Sequence, residues 1–147
     1  MSDWIDSKTK DIINSIEEIP KDSIGFIYLI VTYTGRKYIG KKNFYTKRKR
    51  KFGKKESALI TDKRKKLWEH VIKESDWKTY VGSNKELQKD IAKGIKYDKY
   101  IIDYAKSKKQ LSYKEEKQLY VNEVLENSEW YNDNISGRYF TRDIINK

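Results

Sequence analysis

Cysteine is absent from this 147-residue chain, and histidine occurs once, as His70. The first absence excludes disulfides and thiolate zinc sites. The second excludes multi-histidine metal clusters and leaves little room for a serine or cysteine nucleophile with a histidine base. His70 itself, in Leu67-Trp68-Glu69-His70-Val71, reads as a packing or surface residue. Chemistry in this chain must therefore be built from Tyr, Lys, Arg, Asp, Glu and Asn. Long apolar runs are missing too, and Met1 to Lys21 mixes acids and bases where a secretion signal needs an apolar centre. No membrane partner is expected, and the expected location is the cytoplasm. No repeat or low-complexity linker divides the chain, so its length suits one domain over residues 1–147 with its own core.

What is abundant is positive charge. The 33 Lys and Arg exceed the 22 Asp and Glu by 11, and 13 of the basic residues fall between Lys41 and Lys66 against only Glu56 and Asp62. That segment alone carries +11, and the rest of the chain balances 20 basic residues with 20 acidic ones. A cationic block interrupted by Phe44, Tyr45 and Phe52 suits a polyanion better than a small substrate, because each neutralised phosphate releases condensed counterions. A solvated basic loop is the plainer reading, and even that would bind nucleic acid weakly.

Hydrophobic spacing orders the elements. Ile5, Ile12, Ile13 and Ile16 recur at helical spacing after Asp3, predicting a helix over residues 3–18 in an N-terminal segment 1–21. Residues 25–33 are apolar on both faces, with Phe26, Tyr28 and Ile30 on one and Ile27, Leu29 and Val31 on the other, as in a central strand. Thr34-Gly35 turns the chain back into Lys37 to Lys41. No period is clear over 41–66, which reads as a basic loop or insertion, and a short helix is predicted from Asp62 to Lys73. Ser83-Asn84-Lys85-Glu86 is a capping-box pattern opening a helix with Leu87, Ile91 and Ile95 on one stripe and a stop near Gly94. Tyr97 to Ala105 reads as a third strand, and a second capping box, Ser112-Tyr113-Lys114-Glu115, opens a last helix. The fold class expected is α+β, a small and mostly antiparallel three-stranded sheet with an N-terminal β-hairpin, covered by helices.

The hairpin makes a sharper prediction. A two-residue loop of Thr34-Gly35 would pair Tyr38 with Val31 and turn it away from Tyr28. A three-residue loop, Tyr33-Thr34-Gly35 with Gly35 at positive φ, pairs Tyr38 with Ile30 and puts both tyrosines on one face. A site shared by the two tyrosines requires the longer loop.

Gly25-Phe26-Ile27-Tyr28 and Tyr38-Ile39-Gly40, with their tyrosines ten residues apart, resemble the signature of the GIY-YIG endonucleases. Phe26 is an addition to the shortest form of the first half; the second half matches unchanged. Trp77-Lys78-Thr79-Tyr80-Val81-Gly82-Ser83-Asn84-Lys85-Glu86-Leu87 is similar to a segment of bacteriophage-encoded, Seg-like and homing-type members, so the resemblance spans about Gly25 to Asn134. It implies a metal-dependent nuclease that hydrolyses double-stranded DNA by a nick or a double-strand break, as monomer or homodimer, in the host cytoplasm if phage-encoded. Its implied catalytic set is Tyr28, Tyr38, Lys42, Arg48, Glu115 and Asn132, with Glu115 binding one Mg²⁺ or Mn²⁺. Arg48 lies ten residues beyond Tyr38, with Arg50 and Arg64 as alternatives for the phosphate contact, and Tyr45 is a stand-in for the family's histidine. DNA would be held by Lys41, Lys47, Lys49, Arg50, Lys51, Lys54, Lys55 and Arg64.

Phosphodiester hydrolysis needs a base for water, a cation for the phosphoryl oxygens and support for the leaving alkoxide. A tyrosine base, with an ordinary pKa of about 10, must be lowered by cations, and Lys41 and Lys42 follow the second tyrosine. Simpler roles exist for each residue. The tyrosines suit strands in any case, Glu115 could merely complete the cap with Ser112, Glu116 is a rival ligand, and Asn132 and Asn134 are ordinary turn residues. Asp103 with Glu115-Glu116-Lys117 fits a loose D…ExK nuclease pattern, which wants those acids on a strand. A non-catalytic nucleic-acid-binding protein on the same fold is the reading from another class. The length leaves no room for the separate recognition domain of homing-type relatives, so specificity is expected to be low or to come from a dimer or the basic segment.

Overall fold

A computed structural model describes residues 2–61 and 67–145. They form two compact units, one running to Phe44 and resuming at Asp76, the other spanning Tyr45–Ser75. In chain order the elements are β1 (Trp4–Asp6), β2 (Ile12–Ile13), a single 3₁₀ turn (Ile16–Glu18), β3 (Gly25–Thr32), β4 (Lys37–Asn43), β5 (Tyr45–Lys51) and α1 (Lys54–Ala58). There follow β6 (Trp68–Glu74), α2 (Lys85–Ala92), β7 (Tyr97–Ala105), α3 (Lys108–Val121), β8 (Asn134–Ile135), β9 (Tyr139–Phe140) and α4 (Thr141–Ile144). Among the described residues, no helix is long and apolar enough to cross a membrane.

The larger unit is built on a five-stranded sheet in the order β2-β1-β7-β3-β4, not the expected three strands. It is mixed, because β1 runs parallel to β7 while the other pairs are antiparallel. The two extra strands occupy the segment predicted as an N-terminal helix. Asp6 stops a helix there. Its carboxylate accepts the amides of Lys8 and Thr9, and Lys10, at φ 67, donates its own amide to the Asp6 carbonyl. This Asx turn reverses the chain, and Ile12 and Ile13 then pair with Ile5 and Trp4.

The central strand is as expected. β3 lies between β7 and β4, and its alternate side chains feed two cores. On one face Phe26, Tyr28 and Ile30 pack with Trp4, Phe44, Trp77 and Leu87. On the other, Ile27 packs with Ile39, Leu111, Leu119 and Val124, which places α3 on that face. Each fully buried side chain of this kind contributes roughly 1.5–3 kcal/mol. Val31 pairs with Lys37 and Ile30 with Tyr38, so the loop is the three-residue one, and Gly35 at φ +90 supplies the left-handed turn that a side chain would resist.

Two helix starts differ from the capping-box expectation. Asn84, one residue after Ser83, caps α2 by accepting from the Leu87 amide at 2.9 Å. Ser107 caps α3, accepting from Gln110 at 3.1 Å, so the helix begins well before Ser112. Tyr97–Ala105 is a strand over the range expected. Its register against β3 shifts between Ile27 and Tyr28, a bulge beside the first tyrosine.

The smaller unit is not a loop. β5 and β6 form an antiparallel hairpin in which Tyr45 pairs with Glu74 and Lys51 with Trp68. The helix predicted from Asp62 to Lys73 is therefore strand from Trp68 onward, and its first part, 62–66, lies outside the described residues. No apolar alternation marks β5, and so the sequence reading missed it.

Candidate active site

The site forms at the open edge of the sheet. β4 is the outermost strand, and residues 129–132 cover only part of its free edge. Lys37 donates its amide to the Glu129 carbonyl at 2.9 Å and accepts from the Tyr131 amide at 2.7 Å. Asn132 then continues the ladder with its side chain. Its Oδ1 accepts from the Ile39 amide at 3.1 Å and its Nδ2 donates to the Ile39 carbonyl at 2.8 Å. A buried edge would otherwise leave that peptide unpaired. Cover ends there, and beside it opens a cleft of ≈ 850 Å³ whose lining includes Tyr38, Lys41, Ser83, Lys85, Lys89, Glu115, Asn132 and Asp133.

Tyr28 and Tyr38 share a face with ring centroids 6.1 Å apart, but only Tyr38 reaches the cleft. Tyr28 is 1 % exposed, wedged among Trp4, Phe26, Tyr38 and Tyr80 and hydrogen-bonded to the Tyr80 side chain. Its ring lies directly over Gly40. A Cβ there would sit 2.6 Å from Cζ and closer still to the hydroxyl, which accounts for the glycine of the second motif by contact. Burial, reinforced by the neighbouring phenols and Glu115, pushes the Tyr28 hydroxyl well above the ordinary tyrosine range. Tyr38 is also raised, again chiefly by burial, with a hydrogen bond to Ser83 opposing. The lowering by cations expected for Tyr28 is not what surrounds it.

Glu115 owes its place to helical spacing. Leu111, Glu115 and Leu119 stand four residues apart, and both leucines are buried against the sheet. The carboxylate thus sits mid-helix, so the cap with Ser112 does not explain it. Its Oε1 is 3.9 Å from Lys41 Nζ, which also reaches Ser112 Oγ at 3.0 Å. Burial raises the Glu115 pKa, against the opposing charge of Lys41. Glu116 instead accepts a 2.5 Å hydrogen bond from Ser136.

Strand alternation decides between the two lysines. Lys41 points to the α3 face and lines the cleft. Lys42, assigned to catalysis by sequence, shares the face of Tyr38, where it pairs with Asp76 at 2.7 Å and stands 4.0 Å from the Tyr80 ring centre. Arg48 lies on β5 of the smaller unit, as do Lys47, Lys49, Arg50 and Lys51, with Tyr45 at its start. Lys54 and Lys55 are on α1, and Arg64 falls outside the described residues. Arg50 is held by Glu56 and Glu69 at 2.8 and 2.5 Å. The D…ExK alternative loses its geometry, since Glu115-Glu116-Lys117 is helical and Asp103 is bridged by Lys114 at 3.2 Å. Tyr80, Ser83 and Lys85 fall in the segment that carries the resemblance but were given no site role from sequence, and Lys89 was not singled out. The two lysines lie four apart on α2, a spacing that puts both on one side.

Among the described residues no three His, Cys, Asp or Glu side chains converge as a metal cage. One half-buried carboxylate among hydroxyl and amide oxygens still fits a hard divalent cation that keeps most of its water and takes further oxygens from a phosphate.

The model of a family described as the GIY-YIG domain of the endonuclease segE matches residues 4–135. Neither a curated protein nor a solved structure matches the chain.

Proposed function

Because the chain belongs to the GIY-YIG endonuclease family, we propose that it is a metal-dependent, phage-type endonuclease that hydrolyses phosphodiester bonds of double-stranded DNA. The observation that carries this reading is the convergence of Tyr38, Lys41 and Glu115 on one cleft with Tyr28 directly behind. In the reaction, Tyr38 takes the proton of the attacking water, because it is the phenol that faces the cleft. Tyr28 holds Tyr38 in place through ring packing. Lys41 neutralises charge building on the phosphoryl oxygens, and Lys85 and Lys89 hold flanking phosphates at the rim. Lys41 takes the role that sequence gave to Arg48, which lies on β5 of the smaller unit.

Glu115 would hold the Mg²⁺ or Mn²⁺, which when bound supplies positive charge to the leaving oxygen. The raised pKa of Glu115 is consistent with a carboxylate whose charge is only partly answered by Lys41 and which gains from a cation. Asn132 keeps the β4 edge in register beside Tyr38.

The test is a plasmid nicking assay with and without divalent metal. Glu115→Ala should abolish cleavage and leave duplex binding within a few-fold of the parent. Retained cleavage refutes the assignment of Glu115. A parent protein that binds duplex and never nicks it supports the non-catalytic reading instead.

A further inference from the structure

The hairpin of the smaller unit has two chemically different faces. Register pairs Tyr45 with Glu74, Lys47 with Ile72, Lys49 with His70 and Lys51 with Trp68, so these eight side chains share one face, with Glu74 at its open end. The opposite face carries Arg48 and Arg50 against Val71 and Glu69. On that face the Arg50 guanidinium is clamped between Glu56 and Glu69. On the lysine face, no carboxylate among the described residues bridges Lys47, Lys49 or Lys51. Lys49 Nζ stands 4.3 Å from the Trp68 ring centre, and Trp68 stands edge to face with His70 at 4.8 Å. Every residue of β5 is exposed.

We propose that this hairpin is a β-ribbon that enters the major groove of duplex DNA, lysine face toward the DNA, with Arg50 bracing it from behind. The inference rests on DNA being the substrate of this protein. Size selects the groove. Seven paired positions make a ribbon roughly 20 Å long, and two strands about 5 Å apart with their side chains fill a groove ≈ 12 Å wide but not one of ≈ 6 Å. Spacing fits as well. Lysines at alternate positions recur every ~7 Å, the rise of two base steps of about 3.4 Å. A two-stranded hairpin is marginally stable in water, and an aromatic and cationic face laid against DNA gains the burial that it lacks alone.

The test measures duplex affinity against salt with metal chelated, so that cleavage does not enter. Replacing all three face residues (Lys47→Gln, Lys49→Gln, Lys51→Gln) should flatten the log–log slope by about 2.7, three contacts at 0.9 each. An equal charge removed elsewhere on the unit (Lys54→Gln, Lys55→Gln, Lys73→Gln) should flatten it by less than about 1. The arginine version of the first triple, K47R/K49R/K51R, should keep the parent slope, which separates loss of charge from loss of fold. Methyl green, which occupies the major groove, should compete with the protein, and netropsin, which fills the minor groove, should not. Equal slopes for the two glutamine triples, or competition by netropsin alone, overturns the proposal. Plasmid cleavage by the parent is scored separately. Nicking without the ribbon pattern sinks this inference only, and the ribbon pattern without nicking sinks the nuclease reading only.

Discussion

Replacing Gly40 with alanine tests the geometry on which the site depends. The new methyl would land 2.6 Å from Tyr28 Cζ and closer to the hydroxyl, far inside van der Waals contact. A flexible neighbour could step aside. Tyr28 cannot, because Trp4, Tyr80 and Tyr38 stand 5.3, 6.0 and 6.1 Å from its ring centre and its exposure is 1 %. Overpacking of this kind costs about 1–3 kcal/mol, and for a chain of this size 1 kcal/mol moves Tm by roughly 2–4 °C. Gly40→Ala should thus melt roughly 2–12 °C below the parent. Because displacement by 1 Å can cost about a hundredfold in rate, its cleavage should fall at least as far. Tyr28→Phe alone loses the Tyr80 hydrogen bond, worth about 1 kcal/mol. The double variant is the decisive sample. Removing the hydroxyl removes the atom nearest the new methyl, so the two losses should sum to more than the double variant shows by about 1 kcal/mol. Additivity within about 0.5 kcal/mol, or a Gly40→Ala protein that melts and cuts like the parent, would mean that the phenol does not lie over residue 40.

Three further outcomes are expected. Tyr38 sits above its ordinary pKa, so its phenolate fraction climbs tenfold per pH unit throughout the neutral range. Cleavage at saturating DNA and metal should therefore rise about tenfold per unit from pH 6 to 9, and Tyr38→Phe should abolish the rise; a plateau below pH 8 rules Tyr38 out as base. Lys99 is buried, donates to the carbonyls of Lys78 and Tyr80 at 3.1 and 3.0 Å, and is lowered to about 8 by burial. Between that value and 10.5 the unfolded chain holds a proton that the folded chain has released, so stability should grow with pH, on the order of 2 kcal/mol by pH 10. Urea midpoints for Lys99→Met should lack this growth; identical pH curves would contradict it. Asn132→Ala leaves the buried Ile39 peptide unpaired and should cost about 2–3 kcal/mol in urea melts, with an unchanged midpoint excluding the side-chain ladder.

Residues that answer to one strong constraint were legible in the sequence. β3 is apolar on both faces, so its central place followed, and requiring both tyrosines on one face picked the three-residue loop that the pairing of Ile30 with Tyr38 displays. Where two structures satisfy one pattern, the sequence reading chose wrongly. Isoleucines 5, 12, 13 and 16 fit a helix stripe and equally two short strands, and the choice fell to the Asp6 turn, a local hydrogen-bond effect invisible to periodicity. Ser112 and Glu115 fit a capping box, yet Ser107 took the cap.

A better signal for the site was present in the same helix. Leu111, Glu115 and Leu119 make a stripe whose outer members are buried and whose middle member is an acid. Burying a carboxylate is unfavourable unless something answers its charge, and Lys41 at 3.9 Å on a side chain 41 % exposed answers it weakly. Folding alone would favour a leucine at that position. The same holds at the sheet edge, where an asparagine side chain does the work of a backbone neighbour at Ile39 and the cover then stops two residues short of the lysine facing Glu115. Stability is given up at both points around one cleft, and a binding partner for the carboxylate is the simplest physical account of why.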